Sequence, residues 1–184
     1  MPKKIIIDLD KSHKKLFKRL RNKAQKIKLV LTDNDGVLTD TGVYYSADGE
    51  IFKRFSIRDG MGVERLRKEL GIETGIITGE ISGSIKKRAE KLKITELLLG
   101  VMEKHLLLSE IQERNNIKPE NIAYIGDDVN DIKLMKLVGL TASPADAMAE
   151  IRNMVDYVCE QKGGHGAFRE FAELIIEIQS EAKS

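Results

Sequence analysis

The chain has no tryptophan and one cysteine, and no low-complexity tract interrupts its 184 residues. A single thiol, Cys159, excludes an internal disulfide framework and fits a reducing cytoplasm. Nothing catalytic surrounds it in sequence, which favours a small core residue over a nucleophile. No apolar run approaches the roughly 20 residues that a transmembrane helix needs. Ile5-Ile6-Ile7 is too short for the apolar part of a signal peptide, and Asp8 follows at once. The expectation is a cytoplasmic protein with no membrane span. No repeat and no linker divides the chain. Hydrophobic residues make up 41% and charged residues 33%, a balance that at this length suits one soluble domain with a substantial core.

The formal net charge of +2 hides an asymmetry: residues 1–28 carry 11 of the 31 Lys/Arg but two of the 29 Asp/Glu. A basic segment of this kind can touch nucleic acid or an acidic membrane surface. No interleaved aromatics and no nucleic-acid module accompany it. The simpler expectation is a solvated helical extension over residues 1–26, packed on the body through Leu16, Phe17 and Leu20, with no nucleic-acid partner.

The segment Asp33-Asn34-Asp35-Gly36-Val37-Leu38-Thr39-Asp40 directly follows the apolar run Ile27-Lys28-Leu29-Val30-Leu31. A buried parallel strand that ends in two carboxylates, two residues apart, delivers acids to the edge of a sheet where ligands bind. A divalent cation would offset their mutual repulsion. One carboxylate can then serve as nucleophile and the other as general acid/base. Asp, Asn and Gly are also ordinary turn formers, so this segment alone leaves a plain turn open.

The rest of the chain alternates. After a helix at 11–26 and a strand at 28–33, residues 42–55 read as a hairpin with a turn at Ala47-Asp48-Gly49. A helix at 60–70 ends at Gly71. Strands follow at 74–78, 96–99, 121–125, 138–141 and 155–158. They are separated by helices at 82–92, from Lys104 to before Pro119, at 130–136 and at 145–152, and a last helix spans 166–180. Alternating β and α elements imply an α/β fold, a doubly wound (Rossmann-like) parallel sheet, with a small β-hairpin insertion and no large cap domain.

Further candidates stand at strand tips and helix starts. Thr78, followed by Gly79, can donate to a phosphate oxygen while glycine allows close backbone approach. The ammonium of Lys104 can neutralise both a phosphate and a carboxylate. Asp127, Asp128 and Asp131 follow the strand at 121–125 and can complete an oxygen-rich site for Mg²⁺. Each element is weak alone; four of them in this order are a strong signal.

On these residues the chain resembles the haloacid dehalogenase-like phosphatases over about residues 27–181. Asp33-x-Asp35-Gly36-Val37, Thr78, Lys104 and Gly126-Asp127-Asp128-x-Asn130-Asp131 look like the four family motifs. The resemblance implies that Asp33 forms an aspartyl-phosphate and that Asp35 protonates the leaving alkoxide and then activates water. It also implies that Mg²⁺ rests on Asp33, the backbone carbonyl of Asp35 and Asp127, with Thr78 and Lys104 on the phosphoryl oxygens. The hairpin, Arg58-Asp59-Gly60-Met61-Gly62 and the tail from Gly163 to Glu170, which includes Arg169, are similar to a subgroup without a large cap. That subgroup hydrolyses 2-keto-3-deoxy sugar-acid phosphates. It implies a homotetramer built through the hairpins, with neighbouring subunits and glycine-rich tails closing each site.

Within the subgroup the substrate divides. Glu80 after Thr78-Gly79, with Arg88 and Lys91 on one face of the next helix, resembles the branch acting on nine-carbon nonulosonate 9-phosphates. There a cation takes the substrate carboxylate and Glu80 the sugar hydroxyls. Those cations also read as an ordinary charged helix. Arg58-Asp59-Gly60 points to the branch acting on eight-carbon octulosonate 8-phosphate. The nine-carbon substrate is slightly favoured. Asn34 stands where an apolar residue is commoner, and is expected to alter local hydrogen bonding without changing the chemistry. A phosphoacceptor receiver domain is the rival of another class. It uses an aspartyl-phosphate, Mg²⁺, Thr and Lys on a similar sheet, but its acidic pair precedes its acceptor.

Overall fold

A short, wholly buried strand at the centre of the molecule fixes everything around it. The structure is a computed structural model that describes residues 11–182, with side chains from Lys18 onward. Strand β1 (Leu29–Thr32) is buried along its whole length, as a strand covered on both faces must be. It is flanked by β4 (Glu73–Ile77) and β6 (Ile122–Ile125), both parallel to it. Outside these lie β5 (Glu96–Leu98), β7 (Leu140–Ser143) and β8 (Tyr157–Val158). The order is β5-β4-β1-β6-β7-β8 with every pairing parallel. The chain builds outward from β1 through β4 and β5, then crosses back to β6. The reversal of winding therefore falls at β1, and the carboxyl ends of β1, β4 and β6 border one crevice.

Period-two alternation sends Val30 to one face of the sheet and Leu29 and Leu31 to the other. On the first face the core is formed with α1 (Lys11–Ala24), α2 (Ile57–Arg65), α3 (Gly83–Leu92) and α7 (Ala167–Glu181). On the second face it is formed with α4 (Leu108–Asn115), α5 (Ile132–Met135) and α6 (Ala149–Met154). The basic segment is helical over Lys11–Ala24. It is fastened by buried Leu20 and Ala24 and by Lys23 and Arg19, which reach Asp156 at 2.6 and 3.4 Å. The side chains of Leu16 and Phe17 lie outside the described residues. Cys159 is a buried core thiol, pushed up in pKa by its burial.

The expected alternation is observed, with several boundaries moved. Helix α2 starts three residues earlier than its apolar pattern suggests, because the Ser56 hydroxyl accepts from the Asp59 N–H and caps it. The last turn, Leu66–Leu70, widens into a π-helical turn and ends at Gly71 in the left-handed region. Lys104–Leu107 forms a 3₁₀ turn ahead of α4, and Asn116, at φ 50°, ends that helix before Pro119. Strand β7 and helix α6 both run later than expected.

The hairpin is longer than its alternation indicated. Strands β2 (Thr39–Ser46) and β3 (Gly49–Phe55) pair antiparallel and form a separate two-stranded sheet. Tyr44 and Phe52 stack with centroids 4.4 Å apart, and with Tyr45 and Ile51 they are exposed. Among the described residues no helix is long and apolar enough to cross a membrane.

Candidate active site

The β1–β6 ladder continues one residue beyond the strands, the Asp33 N–H donating to the Ile125 carbonyl at 3.0 Å. The chain then folds back at once, since Leu38 and Thr39 both donate to the Asn34 carbonyl, at 2.9 and 3.0 Å. Gly36 makes that reversal possible. Its φ is 86°, and a Cβ there would stand 1.9 Å from an Asp127 carboxylate oxygen. The glycine-rich tail lies directly on this loop: a Cβ on Gly163 would meet the Gly36 carbonyl oxygen at 1.9 Å, and the Gly164 N–H donates to the Val37 carbonyl at 2.8 Å.

Asp33 stands between two kinds of partner. Lys104 Nζ lies 2.9 Å from Asp33 Oδ2 and 2.7 Å from Asp131 Oδ1, and the lysine and Asp131 side chains are wholly enclosed. Tyr124, fully buried, donates to Asp131 Oδ1 at 2.6 Å and accepts from Lys104 Nζ at 3.2 Å. The other oxygen of Asp131 accepts from the Asp127 N–H at 3.0 Å. Asp131 therefore serves to aim Lys104 and to fix the Asp127 loop. Burial alone would lower the Lys104 pKa, but Asp33 and Asp131 hold it above its ordinary value. An ammonium held this way stays charged at neutral pH.

One oxygen from each of Asp33, Asp127 and Asp131 falls within 4.8 Å of the others. Burial first, then the charge of Asp131, pushes Asp33 up to about 7 against the pull of Lys104. Burial and then the Asp33 charge push Asp127 up to about 8. Two carboxylates this crowded are short of positive charge even with Lys104 present. A donor set made of carboxylate oxygens suits a hard divalent cation such as Mg²⁺. The lack of room for a Cβ at Gly36 shows how closely the Asp35-Gly36 backbone approaches Asp127. The residues present thus fit a Mg²⁺ held by Asp33, Asp127 and the backbone of the Asp33–Asp35 loop.

The Asp35 carboxylate turns to different partners. Its Oδ2 lies 2.6 Å from Lys53 Nζ, and its Oδ1 accepts from the Thr39 hydroxyl at 3.0 Å and the Asn34 side-chain amide at 3.1 Å. Asn34 thus changes local hydrogen bonding, in keeping with its polar side chain. Asp33, Asp35, Thr78, Gly79, Glu80, Asp127 and Asp128 border one open cleft of about 280 Å³. The Thr78 hydroxyl accepts from the Glu80 N–H at 3.2 Å.

Four other candidates are not brought to this cleft. Arg88 donates to the Ser56 carbonyl at 2.8 Å and lies over the Phe55 ring, so its guanidinium is used in packing α3 on α2. Lys91 is exposed on α3. Arg169 pairs with Glu173 at 2.7 Å. Arg58 borders a separate hollow with Arg54 and His165. Its neighbour Asp59 is buried and ties α2 to the start of α7, accepting from the Gly166 and Arg169 N–H groups at 3.1 and 3.0 Å. Lys53, Thr39 and Tyr124 are the site residues that sequence reasoning missed.

Residues 50–170 match the haloacid dehalogenase-like hydrolase family. The 3-deoxy-D-manno-octulosonate 8-phosphate phosphatase of Haemophilus influenzae is 36% identical over 163 residues, 89% of this chain and 90% of that protein. The enzyme of the same name from Escherichia coli K12 is 40% identical over 157 residues, 85% of this chain and 83% of that one. The crystal structure of the Moraxella catarrhalis enzyme of this name, in complex with magnesium, phosphate and a KDO molecule, superimposes with a TM-score of 0.84. It is 34% identical, covering 89% of this chain and 94% of that chain.

The raised carboxyls set a pH dependence. From their ordinary value of 3.8 up to about 7 and about 8, the folded, metal-free protein keeps protons on Asp33 and Asp127 that the unfolded chain has lost. These two groups therefore remove stability as pH rises through that window. Mg²⁺ binds the ionised pair and offsets the loss. The rise in melting temperature when Mg²⁺ is added to chelator-stripped protein should be larger at about pH 8 than at about pH 5. Equal shifts in differential scanning fluorimetry at the two pH values would contradict the assignment.

Proposed function

The chain belongs to the haloacid dehalogenase-like hydrolases, and we propose that it is a Mg²⁺-dependent phosphatase that hydrolyses 3-deoxy-D-manno-octulosonate 8-phosphate through an aspartyl-phosphate. The observation that carries the reaction class is Asp33, at the tip of β1, facing the cleft on one side and Lys104 on the other. The Asp33 carboxylate attacks phosphorus while the bond to the sugar oxygen breaks. Thr78 holds a phosphoryl oxygen, the backbone at Gly79 leaves room for it, and Lys104, enclosed behind Asp33, balances the negative charge that gathers there. Asp35 gives its proton to the leaving oxygen. It then takes one from the water that attacks the aspartyl-phosphate, returning Asp33 to its carboxylate. Asp33, Asp127 and the backbone carbonyl of Asp35 would hold Mg²⁺, which would supply the further positive charge that phosphoryl transfer demands. Placing groups and neutralising charge is most of the task, and that is what this site is built to do.

The relatives' names support the eight-carbon substrate. One observation favours a nine-carbon nonulosonate 9-phosphate as a second reading: Glu80, at the cleft, is an anion two residues beyond Thr78. An anion there accepts hydrogen bonds from a polyol chain and repels a substrate carboxylate. An arginine would do the reverse.

The cleft supports an assembly as well. At about 280 Å³ it falls just below the roughly 300–1,000 Å³ usual for small-molecule sites, and its lining residue Met102 is exposed. The hairpin carries its own exposed apolar face in Tyr44, Tyr45 and Phe52, and an isolated two-stranded hairpin is marginal in water. The proposed arrangement is a homotetramer in which hairpins form the shared contact.

Asp33→Asn should lower phosphate release from octulosonate 8-phosphate by at least about 1,000-fold while the circular dichroism spectrum stays native. Near-wild-type turnover would remove Asp33 from the nucleophile's role. Glu80→Arg should move the ratio of kcat/KM towards the eight-carbon over the nine-carbon substrate by about 1–3 kcal/mol; an unchanged ratio in a paired assay would mean that Glu80 does not select. Light scattering at micromolar concentration should give the mass of four chains, and a monomer would refute the assembly.

A further inference from the structure

Strand β3 is mostly solvent-facing: Ile51, Phe52 and Arg54 are exposed, yet the side chain of Lys53 between them is 1% exposed. A buried ammonium is costly unless it is paired, and removing one partner of such a pair leaves the other charge uncompensated. Lys53 is paired twice, with Asp35 Oδ2 at 2.6 Å and Glu50 Oε2 at 3.6 Å. Glu50 is itself anchored, accepting from the hydroxyls of Ser82 and Ser84 at the start of α3. The second oxygen of Asp35 is held by Thr39 and Asn34. Asp35 thus has directed donors on both oxygens, while a quarter of its side chain stays open to the cleft. Lys53 does not border the cleft, so it meets the reaction only through Asp35.

We infer that Lys53 is the positioning residue for the acid/base carboxylate: the hairpin reaches in with one cation and fixes the direction in which Asp35 presents its oxygens. The inference rests on the phosphatase reading above. It differs from a merely structural tie between hairpin and body in which chemical step it serves. Proton transfer to the leaving oxygen and from the attacking water both use Asp35. Attack by Asp33 on an ester with a good leaving group does not, because a nitrophenolate departs without a proton.

Two substrates separate these cases. With Mg²⁺ present, Lys53→Met should lower kcat on octulosonate 8-phosphate by about 10- to 100-fold, part of what general acid–base catalysis contributes. On p-nitrophenyl phosphate the first turnover in stopped flow should keep its rate within about twofold. The steady rate afterwards should fall as for the sugar acid, because water attack on the aspartyl-phosphate still needs its base. Lys53→Gln keeps a neutral donor in the slot. It should show the same pattern, more weakly, and it decides the matter if Lys53→Met does not fold. Equal loss in the first turnover and the steady rate, or loss in neither, would overturn the inference while leaving the phosphatase reading intact. A wild-type protein that releases phosphate from neither substrate would overturn both.

Discussion

The arrangement depends on one buried ammonium. Parallel strands of a doubly wound sheet bring their carboxyl ends to a common edge, and here β1 and β6 are each followed within two residues by an acid, Asp33 and Asp127. Asp33, Asp127 and Asp131 converge on one point, which is unfavourable unless positive charge is built in. Lys104 supplies that charge from the turn ahead of α4, entirely enclosed and spanning Asp33 and Asp131. One lysine against three carboxylates leaves a deficit, seen in the upward displacement of Asp33 and Asp127. That deficit suits a divalent cation, whose charge would complete the neutralisation that Lys104 begins.

The two carboxylates of the first loop are two residues apart and live in different environments. Asp33 is nearly closed off and shares Lys104 with Asp131. Asp35 is partly open and pairs with Lys53. Divergent surroundings are how adjacent acids take different chemical roles. The separation starts in the backbone. The reversal at Gly36 and the hydrogen bonds to the Asn34 carbonyl turn the chain before Asp35 can join the Asp33 cluster. The tail loop at Gly163 and Gly164 then packs on that turn and holds it.

Much of this was legible in the sequence, and the parts that were not share a cause. Apolar runs ending in Asp33, Thr78 and Asp127 are local signals, and a parallel sheet places their ends together whatever the loops do. Gly71 as a helix end was legible for the same reason. Lys53 was not, because alternation marks it as a surface charge on a strand of exposed residues. Its burial follows only from where the hairpin folds relative to β1. Tyr124 looked like one more apolar residue of β6, and its hydroxyl acquires a role through Asp131, seven positions on. Arg88 was misleading in the opposite sense. A cation on the helix after Thr78 suits a carboxylate ligand, but an aromatic ring and the Ser56 carbonyl at the start of α2 stood closer. The start of α2 was missed because its cap is a serine two residues before Arg58 and its first turns hold two glycines.

The site separates chemistry from selection. Asp33, Thr78, Lys104 and Asp127 sit at the ends of buried strands or in the core, where their positions are set by the sheet and tolerate little adjustment. Glu80 and Met102 sit on loops at the rim, and the hairpin stands outside the sheet altogether. A rim of this kind can vary while the buried cluster beneath it stays the same. Lys53 is where the two parts meet. It belongs to the hairpin, yet its charge ends on Asp35. A change in how the hairpin is held is thereby felt at Asp35, while Asp33 keeps its own lysine, Lys104.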